Sequence, residues 1–319
     1  MSTGAMDTVS IARTFDINLI YARRVFQSIP AAYDAKEIQK LIAQKPKPFV
    51  KWVGGKRQLL KQFRDLELYP PEFFDPIENT YYEPFVGGGA VFFDLLPEHA
   101  ELSDLNRELV IAYNVIKNNI DELIELLRQH RYNKEYYLDI RAKNIDELQD
   151  IEIASRFIFL NKTGFNGLYR VNRKGQFNVP FGRYNNPVIC DEENLRRVSK
   201  ALQNVTIKHQ DYSSVLKSAK KGDFIYFDPP YYPLSQTSSF TAYTSEKFLE
   251  REQIELRNAF IALHKRGCYV MLSNSDTPFI NDLYANIDGV TIHKIIAGRA
   301  INSKGSRRGK ITEVLVTNY

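Results

Sequence analysis

Thr80-Tyr-Tyr-Glu-Pro-Phe-Val-Gly-Gly-Gly-Ala-Val-Phe-Phe-Asp-Leu-Leu96 reads in three parts. Thr80–Val86 is a β-like run of aromatic and branched residues. Gly87-Gly88-Gly89 frees the backbone to turn and to approach a ligand closely, and Ala90–Leu96 has helical composition. The same alternation continues downstream. Ala100–Leu102 ends at Asp104, Glu108–His130 is strongly helical, and Val205–Lys208 is a strand ending near Asp211. Phe224–Phe227 is a short apolar strand ending at Asp228, Glu246–Lys265 is helical, and Cys268–Leu272 is another apolar strand. Strands alternating with helices predict an α/β fold, a mostly parallel sheet covered on both faces. Val290–Ile296 and Ile311–Val316 are separated only by a loop, which predicts an antiparallel pair and one reversed strand at the sheet edge.

Two regions depart from this pattern. Residues 1–45 are mostly helical: Ile11, Phe15, Leu19, Ala22 and Phe26 recur at three-to-four spacing until Pro30, and a short amphipathic helix follows from Asp34 to Ile42. Ser10–Phe26 loosely matches a helix-turn-helix, but a docking arm is the better reading. Gln44–Pro48 is a linker. Asn161–Asn186 interrupts the alternation with dense Gly, Asn, Arg and aromatic residues, the composition of an inserted recognition segment.

The 319 residues are 44% hydrophobic and 25% charged, ordinary globular composition that needs no metal or disulfide staple. Cys190 and Cys268 have no neighbouring partner and read as two reduced thiols. No apolar run approaches the ~18 residues of a membrane span. MSTGAMDTVS lacks the regions of a signal peptide, and Met6 is an alternative start. The net charge is only +5, yet Arg156–Tyr184 and Lys294–Lys310 each carry six Lys or Arg and no acid. Two such stretches suit a phosphate backbone, and equally two solvated loops.

Four segments carry chemistry together: Phe49-Val-Lys-Trp-Val-Gly-Gly-Lys56, Glu83–Gly89, Ser103-Asp-Leu-Asn106 and Asp228-Pro-Pro-Tyr231. The last three fall at carboxyl ends of strands, where open α/β sheets place ligands. The glycine run has neither the P-loop nor the GxGxxG spacing. Asp104 is placed to hold ribose hydroxyls, or to cap the following helix, and Asp211 to meet a purine amine, or again to cap. Two prolines directly after an apolar strand cannot continue a sheet, because neither donates a ladder hydrogen bond. They fix one carboxylate and one ring in a rigid relation. Adenine's exocyclic amine is a poor nucleophile because its lone pair is delocalised into the ring. Asp228 and the carbonyl of Pro229 can each accept one amine hydrogen, which favours a pyramidal nitrogen, while the Tyr231 ring stacks on the base. Alone, the tetrapeptide also fits a turn that merely caps a strand.

In this order the segments resemble the Dam-type adenine methyltransferases (D12 class, alpha group), and the resemblance runs from Phe49 to Tyr319. It extends to Asn161–Arg170, Gly175–Tyr184, Phe240-Thr-Ala-Tyr243 and Ser273-Asn274. The resemblance implies a seven-stranded Rossmann-like methyltransferase sheet with a mainly helical target-recognition insertion. It divides the chain into an N-terminal extension of unassigned role (1–45), a catalytic domain (46–112 and 202–319) and a target-recognition domain (113–201). The implied reaction moves a methyl group from S-adenosyl-L-methionine, leaving S-adenosyl-L-homocysteine, to the N6 amine of an adenine flipped out of duplex DNA at GATC, without a metal.

By the same resemblance Trp52, Lys56, Glu83, Phe85, Gly87 and Asp104 form the cofactor pocket, and Asp228 lies at its methionine end. Asp228, Pro229 and Tyr231 are catalytic. Arg170 reads a guanine, as a bidentate arginine in the major groove does. Leu168 and Pro180 make apolar base contacts, Asn166 and Tyr184 wedge into the duplex, and Ser303, Lys304, Arg307 and Arg308 grip phosphates. Thr163 and Phe165 replace residues that are often aromatic in relatives, and the triglycine stands where many have G-A-G or G-C-G. The expected protein is a cytoplasmic, nucleoid-associated monomer acting on double-stranded DNA, with a restriction endonuclease as a companion where it serves a restriction–modification pair.

Overall fold

A computed structural model describes residues 7–26, 35–234, 248–298 and 310–319. Its centre is β4 (Phe224–Phe227), four buried residues in a row. An apolar run without alternation is what a strand covered on both faces requires. β4 pairs in parallel with β1 (Tyr81–Glu83) and β5 (Tyr269–Ser275), and β1 pairs in parallel with β2 (Ala100–Asp104), which pairs with β3 (Val205–His209). The seven strands lie in the order β3-β2-β1-β4-β5-β7-β6. β7 (Lys310–Thr317) is antiparallel both to β5 and to β6 (Thr291–Gly298), so one strand runs against the rest at that end of the sheet. The chain winds outward from β1 to β3, then returns to β4 on the other side of β1. The carboxyl ends of β1 and β4 therefore flank the switch point, the crevice where doubly wound sheets bind ligands.

Apolar helix faces cover the sheet on both sides. On one face, α5 (Ala90–Leu95) and α6 (Arg107–Asn118) bury Val91, Phe92, Leu109 and Ile116. On the other, α12 (Glu250–Arg266) buries Leu256, Phe260 and Leu263 and ends where Gly267 takes φ 82°, the left-handed stop that glycine permits. α11 (Val215–Ser218) and α13 (Pro278–Tyr284) complete that face.

The single helix predicted over Glu108–His130 is two. Asn119 leaves helical geometry (φ −134°, ψ 43°), and α7 (Ile120–Gln129) starts anew beyond it. The apolar periodicity continues across the break, which hides it from the sequence. α8 (Lys134–Ala142) and α9 (Asp150–Thr163) extend this helical region, and α10 (Glu192–Ala201) leads back to the sheet. Arg156 of α9, buried, bonds Glu108 of α6 at 2.8 Å. Between α9 and α10 the chain is irregular, with isolated bridges Gly164↔Phe181 and Val171↔Phe177 over a small core of Tyr137, Phe159, Leu160 and Val179.

The N-terminal run is also broken. α1 (Thr8–Thr14) and α2 (Leu19–Phe26) meet at Asp16, which takes φ 50°, and Asn18 accepts a bond from the Ile20 amide. The first turn of α2 buries Ile20, Tyr21 and Ala22, the residues a DNA-reading helix would expose. The segment is a packing arm: Arg64 of α4 (Leu60–Asp65) holds Asp16 at 3.0 Å, and Lys45, after α3 (Ala35–Ala43), holds Asp94 of α5 at 2.9 Å. Both cysteines are unpaired, and no helix among the described residues is long and apolar enough to cross a membrane.

Candidate active site

β1 runs into Glu83-Pro-Phe-Val and the triglycine bend, where Gly87 and Gly89 take φ 47° and 68°. A Cβ at Gly87 would lie 2.5 Å from the Trp52 indole, so the indole packs directly on bare backbone. Asp104, at the end of β2, accepts from the Gly87 amide at 3.0 Å and from the Asn106 amide at 2.9 Å. Asn106, not Asp104, caps α6 through the Leu109 amide. Asp104 thus ties the glycine bend to the next strand, and burial pushes its carboxyl above the usual range. Glu83, only 3% exposed, accepts from Tyr81 Oη at 2.8 Å and from the Phe92 amide at 3.0 Å. Burial pushes its carboxyl up to about 8. Phe85 stacks on Tyr212 with ring centroids 5.3 Å apart. Asp211 accepts from the Ser213 amide, the local capping role left open above.

Asp228 follows β4 across the switch point. Lys56 Nζ reaches both its oxygens, at 2.6 and 2.8 Å, and also the Gly54 carbonyl at 2.6 Å. Burial pushes the Asp228 carboxyl up, and the Lys56 ammonium opposes that. The same ammonium lies 4.9 Å from the centroid of the Tyr231 ring. The diproline turn is clamped from outside. Gln253 of α12 donates to the Pro230 carbonyl at 3.0 Å, and Asn274 of β5 accepts from the Tyr232 amide at 3.1 Å. Asn274 also donates to Gln253 at 2.9 Å, and Ser275 Oγ donates to the Tyr232 carbonyl at 2.7 Å. Tyr231 Oη donates to Glu313 of β7 at 2.9 Å.

The two corners open into one cavity of about 1740 Å³. Trp52, Lys56, Glu83, Phe85, Gly87, Asp104, Asp211, Asp228, Pro229 and Tyr231 all line it. These walls fit a nucleoside joined to an amino-acid tail. Carboxylates at Asp104 and Asp211 suit hydroxyls and a ring amine, the Phe85–Tyr212 pair offers a stacking face, and the glycine bend leaves backbone bare where a side chain would collide with Trp52. Among the described residues no cluster of three His, Cys, Asp or Glu is placed to hold a metal.

The predicted base readers lie apart from the cavity lining. Asn166 is exposed, at φ 55°, Pro180 is exposed and Leu168 is half-buried. Arg170, also exposed, spends one edge of its guanidinium on Asn178, Nε to Oδ1 at 2.7 Å and Nη2 to the carbonyl at 3.2 Å. Tyr184 is half-buried: its Oη donates to the Gly164 carbonyl at 2.9 Å, and Lys51 Nζ lies 4.2 Å from its ring centroid. One ring connects the two regions. Tyr169, next to Arg170, stacks on Trp52 at 6.1 Å and donates to Glu108 at 2.8 Å. Ser303, Lys304, Arg307 and Arg308, and the Phe240–Tyr243 motif, lie outside the described residues.

Sequence reasoning missed Gln253 and Glu313. Glu313 had a signal, since it is the lone acid within the strand Ile311-Thr-Glu-Val-Leu-Val-Thr317. The Lys56–Asp228 pair joins two recognised motifs across 172 residues, and no local pattern reveals that they meet.

The profile of the D12 class N6 adenine-specific DNA methyltransferases matches residues 52–301. The chain is 48% identical to the Type II methyltransferase M1.LlaDCHI of Lactococcus lactis subsp. cremoris over 281 residues, covering 86% of this chain and 95% of the relative. It is 46% identical to the Type II methyltransferase M.MjaIII of Methanocaldococcus jannaschii over 291 residues, 86% of this chain and 99% of the relative. It is 33% identical to the DNA adenine methylase of Escherichia coli strain K12 over 276 residues, 85% of this chain and 95% of the relative.

Proposed function

The chain belongs to the D12 class N6 adenine-specific DNA methyltransferases, and from that premise we propose that it methylates an adenine extruded from duplex DNA, at GATC, in the cavity between the β1 and β4 corners. The observation that carries the reading is the shared cavity: the glycine bend and the Asp228–Tyr231 turn both line it. S-adenosylmethionine, when bound, supplies an electrophilic methyl group. Trp52, Glu83, Phe85, Gly87, Asp104 and Asp211 hold it.

The remaining chemistry belongs to the chain. Asp228 accepts one hydrogen of the target amine and the Pro229 carbonyl the other, and Tyr231 stacks on the base. Lys56 favours the ionised form of Asp228 against its burial, while spare lone pairs on the carboxylate remain for the amine. Catalysis is then mostly orientation and fixed electrostatics. Extrusion is required because the amine is paired inside the duplex.

In the insertion, Arg170 keeps its outer guanidinium edge for a guanine, with its inner edge fixed by Asn178. Leu168 and Pro180 meet neighbouring bases, Asn166 and Tyr184 support the opened duplex, and the basic stretch with Ser303, Lys304, Arg307 and Arg308 grips phosphates. The proposed division into a catalytic domain (46–112 and 202–319) and a recognition domain (113–201) belongs to this reading, and its first boundary falls inside α6. Methylation-sensitive sequencing of DNA from cells expressing the chain is the test. N6-methyladenine confined to GATC is expected, and methylated adenines in another motif would overturn the assigned site.

A further inference from the structure

Glu313 belongs to no segment that resembles a known motif, yet it is bonded to the residue assigned to stacking. It lies on β7, opposite Ser275 of β5 and Ile295 of β6, and lines the cavity with Thr312. Its Oε2 accepts the Tyr231 hydroxyl at 2.9 Å. The Tyr231 ring is thereby held at two places, by the Lys56 ammonium 4.9 Å from its centroid and by Glu313 at its rim. A ring with a cation over one face and its hydroxyl anchored keeps one face for a planar partner. Its plane is set before that partner arrives.

Geometry rather than charge is the reason for an acceptor here. A second carboxylate beside Asp228 is electrostatically unfavourable, and it works against the ionised form of Asp228. An acceptor kept in spite of that cost points to the hydrogen bond itself. The Pro229–Pro230 turn is rigid in its backbone, but it does not fix rotation of the tyrosine side chain. Gln253, Asn274 and Ser275 all act on backbone atoms of Pro230 and Tyr232. Glu313 is the described partner that bonds the Tyr231 side chain itself.

We propose that Glu313 is a positioning residue for methyl transfer: through its bond to the Tyr231 hydroxyl it fixes the ring plane against which the target adenine stacks. The inference rests on the reading that Tyr231 stacks on that base.

A double-mutant cycle separates the two. Turnover on a duplex with one target site is measured for Tyr231→Phe, Glu313→Leu, the double variant, Glu313→Gln and Tyr231→Ala. S-adenosylmethionine binding and thermal midpoints serve as folding controls. Tyr231→Phe and Glu313→Leu should each lower kcat about tenfold, the size expected for loss of one charge-assisted hydrogen bond. The double variant should be no more than about twofold worse than either single, because both remove the same bond. Glu313→Gln, which still accepts a hydrogen bond, should recover most of the turnover. With 2-aminopurine at the target position, the Leu and Phe variants should fluoresce more brightly than the native complex, since a loosened ring stacks less well. A merely structural role for Glu313 would not change that signal in a correctly folded variant. Additive losses near a hundredfold, or native turnover in Glu313→Leu, would overturn the inference. Native turnover in Tyr231→Ala would overturn the stacking role itself.

Discussion

The corner proposed for catalysis and the insertion proposed for recognition are held in opposite ways. Around Asp228–Tyr232, partners come from distant elements: Lys56 from the motif before β1, Gln253 from α12, Asn274 and Ser275 from β5, and Glu313 from β7. Around Arg170 the support is local. Asn178 lies eight residues away on the same short hairpin, which the Val171↔Phe177 bridge closes. A site fixed from several elements is pre-organised, so its chemistry is intolerant of change. If Arg170 is a base reader as proposed, its own hairpin fixes it, so it can be replaced without disturbing the sheet and sequence choice can change while the reaction stays.

The largest effect therefore belongs to the corner. Asp228→Ala should lower kcat by at least about a hundredfold, measured by methyl incorporation at saturating DNA and donor, because it removes a preorganised acceptor. Near-native turnover would make the carboxylate a structural cap and end the contrast. Lys56→Met should move the acid limb of the kcat/KM profile to higher pH. In the proposed reaction the ionised carboxylate is the working form; burial already raises its pKa, and Lys56 counters that rise. An unmoved limb would remove Lys56 from that role.

The insertion should answer differently. Arg170→Ala is expected to cost about 1–3 kcal/mol of discrimination at one guanine, with turnover on the best site largely kept. Competition between duplexes that differ at single positions measures it. A uniform loss across sequences would make Arg170 a phosphate contact.

The same contrast explains what the sequence disclosed. Strands β2 and β4 were legible because short apolar runs led to Asp104 and Asp228, β5 was legible from the apolar run Cys268–Leu272, and the glycine bend and Asp228 turn were legible because such residues suit no regular element. The break at Asn119 was not, since side-chain periodicity continues through it and only the backbone departs. The chemistry-bearing motifs were visible one at a time, but their meeting was not. The Lys56–Asp228 pair depends on strand order, and Glu313, though visible as the lone acid of its strand, carries no sign in the sequence of the ring it meets. The base readers were placed by resemblance, for their exposure and anchoring depend on the hairpin's fold rather than on a pattern.

The smallest expected effect is on stability, and here the two regions should respond to pH in opposite senses. Glu83, beneath the glycine bend, has its carboxyl raised by burial from 4.5 to about 8. The folded protein keeps a proton that the unfolded chain releases, so this group's contribution falls as pH rises from 4.5 towards 8. His130 lies beside the insertion's core, stacked on Phe159 with centroids 4.3 Å apart and bonded to Tyr136 and Ser155. Burial, with help from Lys143, lowers it from 6.5 to about 4. The unfolded chain takes up a proton that the fold refuses, so this contribution falls as pH drops from 6.5 towards 4. Lowering the pH below 6.5 should loosen the inserted helices first, and raising it towards 8 the glycine-bend corner. Amide exchange corrected for its intrinsic pH dependence reads both in one sample. Glu83→Gln, neutral and nearly isosteric, should abolish the alkaline loss in the Phe92 region and leave the acid loss near His130 untouched. If both regions open together at either extreme, the two are one cooperative unit, and the local anchoring of the reader gives it no independence.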